Sequence, residues 1–469
     1  MPKEISKEKI RGYALKNAIE HDGKAQVGSV ISGLFSEGLK KENVKDIISD
    51  INKILKEVNA LSLEKQKDEY EKLEDVISHR DVREEGELPE LENVHGKVIM
   101  RIAPYPSGPL HIGNTRQLVL NDEYVKKYGG KLLLVMDDTI GSEEKQIIPE
   151  AYKLIEEGAK WLGVNFSEIF YKSDRLEIYY KYAEEIIKKD KAYVCSCKPE
   201  VLRENRAKGK DCSCRKQSVE QNLKLWKEMF KVKEGSMTLR IKTSMQDKDP
   251  AFRDRVIFRI SEREHPRIKK KYRIWPLLDF SWAVDDYLLG MTHVLRGKDL
   301  MIETKMEEYI FDIFKWKKPE FIHTGLLQIE GIKLSKSKGQ KEIKEGKYSG
   351  WDDPRTWSLQ SLERRGIQPE AIRKFIISQG LTKSETTIPI DILYSINKDL
   401  IKNKSIVADF KEETKTKANI KILMPDASEI FGKADIKIKK GDIAYFKNSG
   451  YSKYQGEENK KQIFWFCHK

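Results

Sequence analysis

The sequence lacks several features that would decide its class at once. It has no apolar run near the ~18 residues that a membrane span needs, and its first residues, MPKEISKEKIRGYALKNAIEHDGK, contain no apolar core of a signal peptide. Neither G-x-G-x-x-G nor G-x-x-x-x-G-K-[ST] occurs, which argues against a dinucleotide-binding dehydrogenase and a P-loop ATPase. We therefore expect a cytoplasmic protein that has no membrane partner and that handles phosphate in another way.

Cysteine is scarce, with five in 469 residues, but four of the five form two C-x-C pairs. In a reducing compartment such pairs favour a metal site over disulfides. Four thiolates suit tetrahedral zinc, and a small domain with little core gains folding energy from the metal. We predict structural zinc at Cys195, Cys197, Cys212 and Cys214, with reduced thiols and no metal as the alternative.

Positive charge is in excess, because 88 Lys and Arg residues face 75 Asp and Glu residues, which gives a formal net charge of +13. A surplus of this size indicates a polyanionic partner such as a nucleic acid. The excess is uneven, since residues 401–469 hold 15 Lys and 9 acids.

Hydrophobic periodicity divides the chain into segments. The three- and four-residue spacing of apolar residues between Ile10 and Val76 predicts helices, whereas KVIMRIAP, a turn, a helix and KLLLVMDD predict a β-loop-α-β unit of a parallel sheet. Residues 192–272 have the texture of an insertion, for which we predict one helix near Trp226 and two strands. The predicted segments are 1–95 (helical), 96–191 and 273–349 (two halves of an α/β core), 192–272 (insertion), 350–400 (helical) and 401–469 (all-β).

Two loops contain residues that can bind phosphate. PYPSGPLHIGN (Pro104–Asn114) lies where a strand gives way to a helix, so its glycines allow close backbone approach beside a helix N-terminus. His111 and Asn114 could donate hydrogen bonds to a phosphate whose charge grows during a reaction. KLSKSKG (Lys333–Gly339) supplies lysines that can neutralise a departing pyrophosphate.

Together, LHIGN and KLSKS resemble the HIGH and KMSKS signatures of class I aminoacyl-tRNA synthetases. Within that class, the segments RIAPYPSGPLHIGN, MDDT, THVLRGKD and GWDDPR resemble the glutamyl-tRNA synthetases of the archaeal and eukaryotic type. The resemblance covers nearly the whole chain and is strongest from Lys97 to Arg373.

This resemblance implies an α/β fold with a Rossmann-type parallel-sheet catalytic core. It assigns binding of the tRNA acceptor end to the insertion, contact with the tRNA stem and elbow to residues 350–400, and a small β-barrel-like, anticodon-binding type of unit to residues 401–469. The implied reaction is ATP-dependent activation of glutamate with Mg²⁺, followed by transfer to the 3′ end of tRNA-Glu. The implied protein is a monomer.

The resemblance also assigns individual residues. Catalysis falls to His111, Asn114, Lys333 and Lys336, and ATP binding to His111, Gly113, Asn114 and Lys336. Glutamate binding falls to Arg101, Ala103, Ser107, Asp137 and Arg296, in which the arginines hold carboxylates and Asp137 holds the amine.

The chain departs from the family pattern at three places. Asn114 replaces the second histidine of HIGH, Ile140-Gly141 replaces the usual Asp-Pro after MDDT, and about a hundred residues of anticodon-binding barrel are missing between Lys402 and Lys421. One extension stays open, namely that the enzyme also charges tRNA-Gln. Two alternatives also stay open: a glutaminyl-tRNA synthetase and a degenerate synthetase that only binds tRNA. Glutaminyl-tRNA synthetases typically have an uncharged residue where this chain has Arg296.

Overall fold

The structure is a computed structural model that describes residues 5–21, 23–37, 39, 43–73, 76–77, 88–141, 146–332 and 334–469. The chain forms two compact units, residues 1–84 and residues 85–469. Among the described residues, no helix is long and apolar enough to cross a bilayer. The finer division of the chain into six segments stays a prediction.

The smaller unit is helical, as the periodicity predicted. Its helices are α1 (Lys7–Glu20), α2 (Val27–Ser36), α3 (Val44–Asn59) and α4 (Leu63–Glu71). The side chains of Ser6 and Ser62 accept hydrogen bonds from backbone amides in the first turns of α1 and α4, which satisfies donors that a helix start leaves unpaired. Leu15, Val30 and Val58 lie fully buried in its core.

The larger unit contains eleven helices and eighteen strands among its described residues. The helices are α5 (Thr115–Lys127), α6 (Pro149–Trp161), α7 (Leu176–Lys188), α8 (Pro199–Lys208), α9 (Val219–Met229), α10 (Leu278–Leu288), α11 (Met301–Phe314), α12 (Lys336–Lys344), α13 (Leu359–Arg365), α14 (Pro369–Ser378) and α15 (Ile390–Ile401). The strands are β1 (Ile99–Ile102), β2 (Lys131–Met136), β3 (Glu168–Tyr171), β4 (Ala192–Cys195), β5 (Thr238–Ile241), β6 (Val256–Ile260), β7 (Ile274–Pro276), β8 (His293–Gly297), β9 (Glu320–Thr324), β10 (Leu327–Ile329), β11 (Thr386–Ile388), β12 (Ile406–Ala408), β13 (Lys411–Glu412), β14 (Ile420–Leu423), β15 (Glu429–Lys433), β16 (Ile443–Phe446), β17 (Gly450–Glu458) and β18 (Lys461–His468).

The core of this unit is a parallel sheet. β1 pairs with β2 and β2 with β3, all in parallel, and β8 pairs in parallel with β9. Thr292, just before β8, donates its amide to the Ile99 carbonyl at 3.0 Å, which joins β8 to the free edge of β1. The resulting order, β3-β2-β1-β8-β9, is that of a doubly wound fold, and the predicted Rossmann-type core is confirmed.

The segment between the two halves of the core forms its own antiparallel sheet, in the order β4-β5-β6-β7, with α8 and α9. Our prediction of one helix and two strands for residues 192–272 was wrong, because α8 and β4 are also present there, whereas β7 begins after that segment, at Ile274. Helix α8 has no buried residue, so its sequence carries no apolar stripe, and β7 has only three residues. Elements this short or this polar give no periodic signal.

The C-terminal strands form one seven-stranded sheet in the order β12-β16-β17-β18-β14-β15-β13, which confirms the predicted all-β unit. Its last strand is tied to the preceding helices. The Arg365 side chain donates to the Cys467 carbonyl at 3.1 Å, and Asn397 Nδ2 lies 3.0 Å from His468 Nε2. These buried contacts attach the sheet to α13 and α15.

Candidate functional site

A cavity of about 750 Å³ opens where the chain order of the parallel sheet reverses, between β1 and β8. Ligands of doubly wound folds bind at such a point, outside the carboxyl ends of the strands. Its walls include Arg101 and Ala103 at the end of β1, His111 and Asn114 in the following turn, and Arg296 in β8. The fold therefore brings together segments that lie almost 200 residues apart in the sequence.

Arg101 is buried in an ion pair with Asp286 of α10. Its Nε and Nη2 atoms donate to the two carboxylate oxygens, the second at 2.8 Å. Burial alone would lower the pKa of Arg101, but the charge and hydrogen bonds of Asp286 raise it, so the guanidinium is always charged. The Nη1 end has no protein acceptor in the part of the chain that the structure describes, and it can hold a ligand carboxylate.

Arg296 is held by α11. Its Nη1 donates to Glu307 Oε1 at 2.6 Å, and its Nε and Nη2 donate to Thr304 Oγ1 at 3.1 and 2.6 Å. The guanidinium lies between two rings, 5.3 Å from the centre of Trp282 and 5.2 Å from that of Phe321. Burial raises the pKa of Glu307 to about 8, although the Arg296 charge opposes the shift.

A third cation, Lys172, lies near the two arginines and is fully buried. Its Nζ contacts Asp137 Oδ1 at 3.1 Å and donates to Ser281 Oγ at 2.8 Å. Like Arg101 and Arg296, it lies just over 5 Å from the ring of Trp282. Asp137, which the sequence assigned to the substrate amine, is therefore already paired through one oxygen with a lysine.

The first signature forms a capped turn. Gly113 donates its amide to His111 Nδ1 at 3.1 Å, and the His111 amide donates to Asn114 Oδ1 at 3.2 Å. Because Nδ1 accepts, the proton of the neutral ring lies on Nε2, which is a donor. Burial, and then the Lys336 charge, lower the pKa of His111 to about 3, so the ring stays neutral at physiological pH.

The second signature begins α12. The side chain of Lys336 lies 3.4 Å from the Gly108 carbonyl of the first signature, and both His111 and Lys336 line a smaller adjoining cavity of about 190 Å³. Lys333, the other predicted catalytic lysine, lies outside the described residues. The fold therefore places at least Lys336 beside the turn, as the two signatures together require.

The glycines of the first signature allow this close packing. A Cβ on Gly113 would lie 2.8 Å from the Leu334 side chain, and one on Gly108, whose φ is +152°, would lie 2.8 Å from the Trp351 ring. Gly113 lines the main cavity, whereas Ser107 is not among the residues that line it. A larger residue at Gly113 would displace the Leu334 side chain of the second signature, and one at Gly108 would displace the Trp351 ring.

The four predicted metal ligands also lie together. The sulfur atoms of Cys195, Cys197, Cys212 and Cys214 all lie within 4.8 Å of one another, with one pair at 3.9 Å and another at 4.0 Å. Zinc bonded to four sulfurs at ~2.3 Å requires sulfurs about 3.8 Å apart, so the set fits the metal. Arg240 Nη1, 3.7 Å from both Cys195 and Cys212, offsets part of the thiolate charge.

Comparison with known proteins identifies the family. Residues 97–403 match the family described as tRNA synthetases class I (E and Q), catalytic domain. The chain belongs to this family. The glutamate–tRNA ligase of Methanocaldococcus jannaschii is 47% identical over 395 residues, which are 84% of this chain and 70% of that protein. The resemblance of the signatures to class I synthetases is thus confirmed.

A second relative is similar over the same share of the chain. The glutamate–tRNA ligase of Methanothermobacter marburgensis is 43% identical over 394 residues, or 84% of this chain and 71% of that protein. A solved glutamate-tRNA synthetase of Elizabethkingia anophelis aligns with 65% of this chain and 71% of that one, at 21% identity and a TM-score of 0.45.

Four residues of this site were not predicted from the sequence: Lys172, Trp282, Asp286 and Glu307. One signal was available for Asp286. The segment DFSWAVDD places acids in an otherwise apolar helix, and an acid that must be buried needs a cationic partner. No comparable signal marks Lys172, because its burial depends on packing against α10.

Proposed function

We propose that this synthetase is a glutamate–tRNA ligase, which activates glutamate with ATP and transfers it to the 3′ end of tRNA-Glu. The observation that carries the proposal is that two buried arginines share one cavity with the His111 turn. Glutamate has two carboxylates, and this cavity offers two guanidinium groups. The two similar proteins from Methanocaldococcus jannaschii and Methanothermobacter marburgensis are glutamate–tRNA ligases, which supports the same function.

In this proposal, glutamate binds at the strand ends. Arg101 and Arg296 hold the two carboxylates, each with N–H groups beyond those that bond to its protein partner. Asp137 takes the ammonium group through the oxygen that Lys172 leaves, and Ala103 lines the cavity beside Arg101, whereas Ser107 lies outside the lining. A glutaminyl enzyme would need a neutral partner for the side-chain amide, which Arg296 does not provide.

ATP binds at the signature end. A glutamate carboxylate oxygen attacks the α-phosphorus, the bond to pyrophosphate breaks, and glutamyl adenylate forms. His111, through Nε2–H, and Asn114, through its amide, donate to the α-phosphate while Gly113 allows the backbone to approach. Lys336, with Lys333, neutralises the pyrophosphate that leaves. Mg²⁺, when bound, shields the phosphate charges.

The second step uses tRNA. The 2′-hydroxyl of the terminal ribose attacks the acyl carbon, and AMP leaves with the electrons of the broken bond. The insertion holds the acceptor end, and residues 350–400 contact the stem, where basic side chains meet phosphate. The enzyme acts as a monomer in the cytoplasm. Sedimentation of the purified chain tests the oligomeric state.

The test of this function is an aminoacylation assay with purified tRNA-Glu and tRNA-Gln, each with glutamate and glutamine. We expect glutamate on tRNA-Glu. Glutamine on tRNA-Gln would instead identify a glutaminyl enzyme, and tRNA binding with no charging would identify a non-catalytic tRNA-binding protein. The combination of glutamate with tRNA-Gln measures whether the enzyme charges both tRNAs.

The cysteine centre holds structural zinc in this proposal. Metal analysis should find about one zinc per chain, and the variant with both Cys195→Ser and Cys212→Ser should lose the metal and the folded insertion. Cys467→Ser is the matched control, because that thiol is buried in β18 and is not part of the cysteine cluster. Full activity of a zinc-free preparation would overturn the assignment.

The C-terminal unit is too small for the paired barrels of the family. Its lysines can hold phosphate, but phosphate contacts carry no sequence information. We therefore expect recognition through the acceptor stem and elbow, with anticodon substitutions changing kcat/KM by less than about tenfold. A hundredfold loss from one anticodon substitution would show that this unit reads bases.

A further inference from the structure

Glu307 is a buried acid with few partners. Its side chain is fully buried, and its Oε1 accepts one hydrogen bond, from Arg296 Nη1 at 2.6 Å. Its Oε2 is buried without a hydrogen-bond partner among the described residues. An ionised carboxylate can accept about four hydrogen bonds, so a buried one with a single partner is poorly stabilised.

The charges around Glu307 come from three other elements. Arg296 approaches from β8, Arg101 from β1 and Asp286 from α10, and the last two pair with each other. On its own helix, Thr304 shares Arg296 with it, and His323 of β9 contacts the Thr304 hydroxyl at 2.8 Å. Burial lowers the pKa of His323, which leaves that ring neutral. Above about pH 8, where Glu307 is ionised, each of the two arginines is thus paired with an acid before any ligand binds.

A glutamate carboxylate that binds Arg296 would add a second anion to one guanidinium. In a cavity shielded from water, two carboxylates this close cannot both stay ionised without a large cost. Asp286 is held by two hydrogen bonds from Arg101, whereas Glu307 has an oxygen to which a proton can add. The cheapest adjustment is therefore protonation of Glu307.

We propose that Glu307 is a positioning residue that takes up a proton from solvent when the carboxylate of glutamate binds Arg296. The proposal rests on the proposed function, and it deepens the account of the same site. The raised pKa of Glu307, about 8, supports it, because the proton then costs little at physiological pH. Glutamine, with a neutral side-chain amide, would need no such proton.

The proposal predicts a pH dependence with a definite sign. Below about pH 8 Glu307 is protonated and the Arg296 charge serves the substrate; above it, the ionised Glu307 competes for that charge. The kcat/KM for glutamate should fall as the pH rises, by up to about tenfold per pH unit. The kcat/KM for ATP, which binds at the other end of the cavity, should not show this fall.

The experiment compares the full-length chain with Glu307→Gln in aminoacylation of tRNA-Glu between pH 7 and pH 9.5. Gln has the same shape, keeps an oxygen for Arg296 and cannot ionise. We expect the ratio of kcat/KM for glutamate, variant over wild type, to rise about fivefold between pH 8 and pH 9. A ratio that does not change with pH overturns the proposal.

The matched control is Glu303→Gln, one turn earlier on α11. Glu303 is partly buried and also has one unpartnered oxygen, but its partner is Arg255 and not Arg296. Its kcat/KM ratio to wild type should be independent of pH. A ratio that rises as it does in Glu307→Gln would assign the effect to helix α11 in general and overturn the specific role.

A second measurement covers the case in which Glu307→Gln does not fold. Calorimetry of glutamate binding to the wild-type complex with tRNA, in two buffers of different ionisation enthalpy, gives the number of protons taken up. We expect about half a proton per glutamate at pH 8. Zero uptake overturns the proposal, whereas a wild type that neither binds nor charges glutamate overturns the proposed function instead.

Discussion

The two ends of the main cavity are built in different ways. At the arginine end, charged side chains from separate elements form buried ion pairs, such as Arg101 with Asp286, which lie 185 residues apart. At the signature end, the side chains of the turn are held by the backbone of the same turn. His111 accepts from Gly113, and Asn114 accepts from His111.

The difference matches two tasks. Carboxylates of a bound amino acid carry full charge before the reaction, and they are recognised by cations fixed in a water-poor site. The charge on a reacting phosphate develops only during the step, and preorganised neutral donors stabilise it without binding the ground state too tightly. In the proposed function, recognition and chemistry are therefore separated within one cavity.

The largest effect should come from breaking the arginine end. Arg296→Gln leaves both Glu307 and a substrate carboxylate without a cation, and breaking one partner of a buried pair costs about 3–5 kcal/mol. We expect kcat/KM for glutamate to fall about a thousandfold, with KM for ATP nearly unchanged, in steady-state aminoacylation.

The second substitution Glu307→Gln, added to Arg296→Gln, removes one of the two unpaired anions. It should recover part of the loss, which makes the pair a test of coupling. An unchanged kcat/KM for glutamate in Arg296→Gln would show that this residue only supports the fold.

At the signature end, Lys336→Ala removes a charge near the leaving group while the glutamate contacts remain. Adenylate formation, measured by pyrophosphate exchange with tRNA present, should slow by about two orders of magnitude. Lys344→Ala, in the exposed last turn of the same helix, is the control and should stay within about twofold. A change confined to KM for glutamate would contradict the separation of the two ends.

His111 should stay unprotonated at physiological pH, because its pKa in the folded protein is lowered to about 3. The unfolded chain binds this proton below about pH 6.5, so the stability that the neutral ring contributes is present above that pH and is lost as the pH falls towards 3. Nuclear magnetic resonance of the eight histidines should show that His111, assigned with His111→Gln, does not titrate between pH 5 and pH 8.

In thermal unfolding, the difference between wild type and His111→Gln should shrink by about 3 kcal/mol from pH 7 to pH 4. A His111 resonance that titrates near pH 6.5 would mean that the turn is open to water.

The smallest effect should come from Asn114→His, which restores the second histidine of the usual signature. Both side chains offer an acceptor for the His111 amide and a donor for phosphate, so the rate of adenylate formation should change by less than about threefold. A loss of more than tenfold would show that the turn is fitted to asparagine.

Short-range sequence patterns determined what could be predicted from the sequence. The strand, turn and helix around LHIGN, the helices of residues 7–71 and the two C-x-C turns all follow from short-range periodicity and spacing. The family signatures then named most of the residues that line the cavity. Each of these features is encoded within about thirty residues, the scale at which sequence patterns are legible.

Only the tertiary structure decided which charges meet. The pairing of Arg101 with Asp286, of Arg296 with Glu307 and of Lys172 with Asp137 depends on how α10, α11 and the strand β3 pack on the sheet. A sequence pattern shows which face of a helix is apolar, but it does not show which distant element covers that face. Whether a buried acid is charged, and hence what it does, is set by that neighbour because the cost of burial depends on the partner.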